Sequence, residues 1–154
     1  MEKENSLITQ DESIFKSTNR ETFCTMDLDD EDNKISLYNS LQGCDVRLND
    51  IKGTVLSVVE VFIEKKEVAE RDEKTDEIIY DEETGEVKTK IKYRTILFDD
   101  EGKTYVSSAY GIYNSLRQII SIFGNPSKDN IIKVKVGTKK LNNGKESLIL
   151  TVVR

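Results

Sequence analysis

The sequence predicts a mainly β protein with a single domain, and three observations support this. The length of 154 residues corresponds to one domain. A run rich in β-branched residues covers positions 54–63, which favours a long strand. Two turn signals, DDEG at residues 99–102 and Asn143-Gly144, each separate two apolar runs and predict hairpins. We place the domain at residues 21–154.

An N-terminal arm, strand and helix precede the main sheet. Residues 1–20 show no periodicity and are predicted to form a flexible arm. The segment ETFCTM, residues 21–26, alternates as a short strand does. Acidic residues then lead into a predicted helix that Gly43 ends. Three apolar residues recur at helical spacing within it, namely Ile35, Tyr38 and Leu41.

Three strands of the main sheet follow. Residues 51–70 predict a long strand, and residues 87–98 and 103–109 predict the two strands on either side of the DDEG turn. Between the first and second strands, the charged residues 71–86 predict either the tip of an extended hairpin or a mobile loop. One side of the first strand is predicted to carry Val55, Val59, Val61 and Ile63.

A helix and two further strands complete the domain. An amphipathic stripe of Ile112, Leu116, Ile119, Ile120 and Phe123 predicts a helix that stops at Gly124. The segments NIIKVKV and ESLILTVV predict the last two strands. This order is the connectivity of the OB-fold, a five-stranded Greek-key barrel with its helix between the third and fourth strands. A generic α+β sheet remains the alternative, because a linear order does not determine strand pairing.

Composition restricts the classes of function. No apolar run approaches the roughly 20 residues that cross a bilayer, so we expect a soluble cytoplasmic protein that does not engage membranes. The absence of histidine excludes Ser-His-Asp and Cys-His catalytic sites, and no glycine-rich phosphate loop occurs. Cys24 and Cys44 lack the spacing of a zinc site. The acidic run at residues 27–38 has Asp32 where a calcium loop needs glycine. We therefore expect no enzyme, metal or cofactor.

The hairpin around DDEG is the candidate binding surface. If Phe98 lies opposite Lys103, then Ile96/Tyr105, Arg94/Ser107 and Lys92/Ala109 share one face, and Tyr93, Thr95 and Leu97 face the barrel interior. The first face alternates cations with aromatic rings. Single-stranded nucleic acid binds such surfaces, because each base gains roughly 1–3 kcal/mol by stacking on a ring while cations neutralise the phosphates. The alternative is that these rings belong to the core, as strand aromatics often do.

The C-terminal third adds further cations. The net charge of the chain is −6, yet residues 101–154 carry 9 Lys and Arg against 3 Asp and Glu, which permits a local phosphate-binding surface. The complete set of candidate nucleic-acid-binding residues is Lys92, Arg94, Phe98, Lys103, Tyr105, Tyr110, Tyr113, Lys133, Lys135, Lys139 and Lys140.

Residues 94–124 resemble single-stranded DNA-binding proteins of bacteriophages and mobile elements of Gram-positive bacteria. The resemblance lies in ILFDDEGKTYVSSAYG, in YNSLRQIISIFG and in the upstream ISLYNSLQGCDVRLNDIKG. It implies an OB-like, non-enzymatic protein that coats single-stranded DNA in replication or recombination, with little sequence preference and with replication or recombination proteins as candidate partners. The competing hypothesis is a protein interaction module of a mobile element that uses an OB-like sheet or an acidic arm.

Overall fold

The computed structural model describes residues 20–154. The predicted flexible arm therefore lies outside the described residues, apart from Arg20. In chain order the elements are β1 (Arg20–Cys24), α1 (Glu31–Gln42), β2 (Val46–Arg47), a short 3-10 helix (Leu48–Asp50), β3 (Val55–Ala69), β4 (Thr89–Asp99), β5 (Thr104–Ser107), α2 (Tyr110–Phe123), β6 (Ile132–Lys140) and β7 (Glu146–Val152). The mainly β prediction is confirmed. Neither helix is long and apolar enough to cross a membrane within this described range.

All seven strands form one mixed sheet that curls into a half-barrel. Its strand order is β2-β5-β4-β3-β6-β7, and β1 also pairs with β3. The β2–β5 pair is parallel and the other pairs are antiparallel. Among the described residues no ladder joins β2 or β5 to β7, so the half-barrel stays open on this side.

Both faces of the sheet are covered by apolar side chains. The inner face packs against α2, which contributes Ile112, Leu116 and Ile119 to the larger core. The outer face packs against α1, where Leu37 meets a smaller cluster formed by Met26, Phe62, Ile96 and Phe98. The N-terminal helix therefore covers the outer surface of β3 and β4, the surface on which the sequence placed its candidate rings.

The inner side of β3 differs from the predicted one because of a β-bulge. The register with β4 shifts between Val58 and Glu60, which moves every residue before the shift to the opposite face. Leu56 and Val58 therefore join Val61 and Ile63 in the larger core. The predicted places of Val61 and Ile63 are confirmed, whereas Val55 is 50% exposed.

The predicted register of the β4–β5 hairpin is wrong by one residue. Phe98 lies opposite Thr104 and Leu97 lies opposite Tyr105. The turn is one residue shorter than assumed, because Asp99 N donates to Lys103 O and Gly102 adopts a positive φ of 83°. A slip of one residue reverses the face of every partner on β5.

This correction separates the two rings that were predicted to form one exposed surface. Phe98 faces α1 and is 4% exposed, and Tyr105 faces the larger core and is 7% exposed. The Tyr105 hydroxyl donates to Asp99 Oδ2 at 2.7 Å. Burial and this hydrogen bond raise the pKa of Tyr105 to about 12. The alternative that these rings are core residues is the correct one.

Both helices follow their predicted boundaries. In each helix, however, part of the predicted apolar stripe is exposed to solvent. In α1, the Asp30 side chain caps Asn33 N, while Ile35 and Tyr38 are exposed because Leu37 faces the sheet. In α2, the predicted stripe is buried except near its end, where Phe123 is 49% exposed.

The charged segment between β3 and β4 contains two consecutive turns with the same hydrogen bonds. In the first, Asp72 Oδ1 accepts from Lys74 N and Thr75 N, and in the second Asp81 Oδ1 accepts from Glu83 N and Thr84 N. These bonds lower the pKa of both Asp side chains. We call residues 71–87 the tip, which corresponds to the hairpin-tip alternative.

Candidate nucleic-acid interface

A groove of about 730 Å³ lies beside the edge of β4 that precedes Thr95. It exists because β5 is short. The β5 ladder covers only Thr95 to Phe98 of β4, so within the described chain no strand pairs with that edge of β4 before Thr95. The groove is lined by residues of β2, β3, β4, β5 and β7, together with the 3-10 helix and the residues between β5 and α2.

Four cations line this groove, and two of them lie directly opposite each other. Lys66 of β3 and Lys92 of β4 are partners in the antiparallel ladder, and Arg47 and Arg94 also line the groove. Like charges at directly opposite positions destabilise a sheet. A bound anion would relieve this repulsion, which makes the Lys66–Lys92 pair a candidate contact for phosphate.

Arg94 is held in place by a buried carboxylate. Its Nε and Nη2 lie 3.1 Å from Glu64 Oε1, and its Nη1 donates to the carbonyl oxygen of Leu41 at 3.2 Å. Arg20 of β1 pairs with the other oxygen of Glu64. The arrangement joins the last turn of α1 to three strands, and leaves about a third of the Arg94 side chain exposed in the groove.

A cluster of three tyrosines adjoins these cations. Tyr93 lines the groove, and its ring centroid lies 4.5 Å from that of Tyr113 and 5.3 Å from that of Tyr110. The Arg117 guanidinium lies 5.6 Å from the Tyr113 centroid, within cation–π distance. Tyr110 is 53% exposed and can offer a ring face to a ligand. We call Tyr93, Tyr110 and Tyr113 the tyrosine cluster.

The start of α2 is positioned by a close contact with β7. A Cβ atom on Gly111 would lie 2.1 Å from the Leu148 carbonyl oxygen and 2.4 Å from Ser147 Oγ. The Ser115 hydroxyl also accepts a hydrogen bond from Leu150 N at 3.1 Å. These contacts hold α2 against the open side of the half-barrel, and thereby fix the two tyrosines of its first turn beside β4.

The structure brings together some of the predicted site residues and separates others. Lys92 and Arg94 line the groove, and Tyr110 and Tyr113 adjoin it through Tyr93. Phe98 and Tyr105 are buried, which contradicts their predicted exposure. The remaining predicted cations do not line the groove: Lys103 lies in the β4–β5 turn, and Lys133, Lys135, Lys139 and Lys140 lie on β6.

Four residues of this surface are not among the candidates that the sequence predicts. The sequence predicts Tyr93 in the barrel interior, and it gives no signal for Arg47, Lys66 or Arg117. The spacing of Tyr110 and Tyr113 could have indicated a shared helix face, because residues three apart are neighbours on a helix. Nothing in the linear sequence indicates that Arg47 lies near Lys92, since that proximity depends on the parallel β2–β5 pair.

The comparisons with known proteins identify a family for the chain. The family described as phage single-stranded DNA-binding protein matches residues 16–153, which is nearly the whole chain. The searches of curated proteins and of solved structures found no match. The family match, which covers the groove and the tyrosine cluster, shows that the chain belongs to the phage single-stranded DNA-binding protein family.

Proposed function

We propose that this protein binds single-stranded DNA in the groove with little sequence preference, and coats it during phage replication or recombination. The observation that carries the proposal is the position of the tyrosine cluster beside the Lys66–Lys92 pair. The cluster supplies ring faces for unpaired bases, and the cations neutralise the phosphates between them. Stacking is tolerant of sequence because every base has an apolar face.

The remaining predicted cations fit an outer role in this proposal. Lys140 lies opposite Glu146, which lines the groove, so it would lie at the rim of the groove. Lys103, Lys133, Lys135 and Lys139 would contact phosphates only where a longer strand leaves the groove. The protein would then bind short oligonucleotides through the groove alone.

We also propose that the half-barrel is an open form of the OB-fold. Counting β3, β4, β5, β6 and β7 as its five strands, the ladders β3–β4, β4–β5, β3–β6 and β6–β7 follow a Greek-key path, with α2 between the third and fourth strands. The groove crosses the free edge beside β5. Here α1 covers the outer face of β3 and β4, so the ligand would lie along the edge of the sheet.

The test is a titration of fluorescent oligo-dT with single variants. Tyr110→Ala is expected to weaken binding roughly 5- to 150-fold, since stacking on a ring contributes about 1–3 kcal/mol per base. Lys92→Ala is expected to weaken binding and to reduce the slope of log K against log salt by about 0.7, the value for one phosphate contact on a single strand.

The matched controls remove a tyrosine ring and a lysine side chain that lie outside the groove and the tyrosine cluster. Tyr38 of α1 is exposed to a similar degree as Tyr110, and Lys128 lies outside the groove. Tyr38→Ala and Lys128→Ala are expected to bind like the wild type. The proposal is refuted if Tyr38→Ala and Tyr110→Ala lose affinity for oligo-dT to the same extent. It is also refuted if the wild-type protein does not bind oligo-dT at low salt.

The second candidate function is a protein interaction module that uses the acidic tip. Its support is that the tip has defined turns, with the same carboxylate-to-backbone hydrogen bonds in both halves. The test replaces residues 72–86 by a short turn and measures oligo-dT binding. Unchanged binding shows that the tip is not needed for DNA and leaves it available for a protein partner, whereas a loss of binding by the folded variant assigns the tip to DNA and refutes this second candidate.

A further inference from the structure

A buried carboxylate lies in the wall of a groove that otherwise carries positive charge. Glu64 is 3% exposed and forms ion pairs with Arg20 and Arg94. It lines the groove together with Lys66, which is two residues further along β3. A negative charge at this position opposes the binding of any phosphate nearby.

Stability alone does not explain this carboxylate. The cost of removing charges from water offsets most of the attraction within a buried ion pair, and apolar residues at such positions often give equal or greater stability. The sheet has an apolar alternative close by, since Phe62 precedes Glu64 on the same outer face and packs under α1. The negative charge that Glu64 places in the groove, and not its contribution to stability, is therefore the property with a consequence for ligand binding.

Arg94 remains able to bind a phosphate while it is paired. A guanidinium has five N–H donors, and the contacts to Glu64 and Leu41 use three of them. Two guanidinium groups share one carboxylate, so the three side chains together carry one positive charge. Glu64 thus orients Arg94 towards the groove and also compensates part of its charge.

We propose that Glu64 determines the affinity of the groove for single-stranded DNA by acting as an internal counter-charge to Arg94 and Arg20. This inference rests on the proposed function of the groove. The carboxylate keeps the interaction with phosphate weaker than two uncompensated arginines would make it. The other groove carboxylate, Glu146, lies opposite Lys140 at the edge and does not contact these arginines.

The experiment compares oligo-dT binding by the wild type and by Glu64→Gln across a range of salt concentrations. Removal of one unit charge next to the phosphates is expected to tighten binding about tenfold near 0.1 M salt. The slope of log K against log salt should steepen by about 0.7, because one more cation becomes available to neutralise a phosphate.

The matched control is Glu60→Gln, which removes the same charge from the same strand. Glu60 accepts a hydrogen bond from Thr25 and does not line the groove. It lies four residues from Glu64, or about 13 Å along a strand, which exceeds the screening length of about 10 Å at 0.1 M salt. The affinity of the Glu60→Gln variant for oligo-dT should therefore differ from that of the wild type by less than about twofold.

The outcomes separate this inference from the proposed function. Wild-type protein that fails to bind oligo-dT refutes the function of the groove. If the wild type binds but folded Glu64→Gln binds equally or more weakly, the function stands and the role of Glu64 is refuted. Should Glu64→Gln not fold, Arg20→Gln gives the opposite test. It leaves Glu64 to compensate Arg94 alone, so binding should weaken several-fold, and an unchanged affinity overturns the inference.

Discussion

Replacement of Gly111 by Ala tests whether the contact between α2 and β7 sets the geometry of the interface. The added Cβ would lie 2.1 Å from a backbone oxygen, where real Cβ contacts do not occur, and the Leu148 carbonyl cannot rotate away as a side chain can. The first turn of α2 must therefore move. Overpacking of this kind costs about 1–3 kcal/mol.

The expected sign is the opposite of that given by helix propensity. In an unconstrained helix, replacing glycine by alanine stabilises by up to about 1 kcal/mol. Here we expect the midpoint of thermal unfolding to fall by roughly 2–12 °C, because a domain of this size shifts about 2–4 °C for each kcal/mol. Displacement of Tyr110 and Tyr113 should also weaken oligo-dT binding.

Thermal unfolding followed by circular dichroism measures the first effect, and fluorescence titration measures the second. Gly137→Ala is the matched control, since a Cβ at Gly137 meets no atom within 4 Å. That control should keep its melting temperature and its affinity. An equal or higher melting temperature for Gly111→Ala would refute the close contact and the position we assign to the first turn of α2.

Three further predictions concern the buried residues. Phe98→Ala should destabilise the fold by about 3–5 kcal/mol in urea unfolding, because it leaves a cavity under α1; a stable variant that loses only DNA binding would restore the stacking hypothesis. Tyr105→Phe should cost about 0.5–1.5 kcal/mol through loss of the bond to Asp99, with unchanged oligo-dT affinity. Stability should also fall between pH 10 and about pH 12, because the folded state retains the Tyr105 proton that the unfolded state releases. This fall should be smaller in Tyr105→Phe, as measured by urea unfolding at several pH values.

The sequence was sufficient for the order of the longer elements because each one has a local signal, whereas β2 and the 3-10 helix were not predicted. The β-branched run indicated β3, the DDEG and Asn143-Gly144 turns indicated the two hairpins, and the apolar stripe indicated α2. The same local signals do not indicate which strands pair or in which register they pair. The bulge near Val59 and the left-handed Gly102 each change a register by one residue, and both depend on contacts between strands.

The candidate site was predictable where it lies on one strand, and was not where it depends on distant segments. Lys92 and Arg94 could be placed together because they alternate along β4. The burial of Phe98 could not be foreseen, because Leu37 covers it from about 60 residues earlier in the chain. An aromatic residue in a strand carries the same local pattern whether a helix or a base lies over it.

The unequal lengths of the strands have a consequence for motion in the groove. From Glu67 to Ala69, β3 pairs only with β4 within the described chain, and that part of β4 also has no second neighbour. A two-stranded ribbon is marginally stable and twists more than a broad sheet. The amide protons of this ribbon should therefore exchange with solvent sooner than the amide proton of Leu97, which lies on β4 where that strand has a neighbour on each side. This ribbon directly follows Lys66 and Lys92 in the sheet, whereas the opposite side of the groove is held by the contact of α2 with β7. If the groove binds DNA as proposed, bending of the ribbon would let the groove width adjust to strands of different sequence.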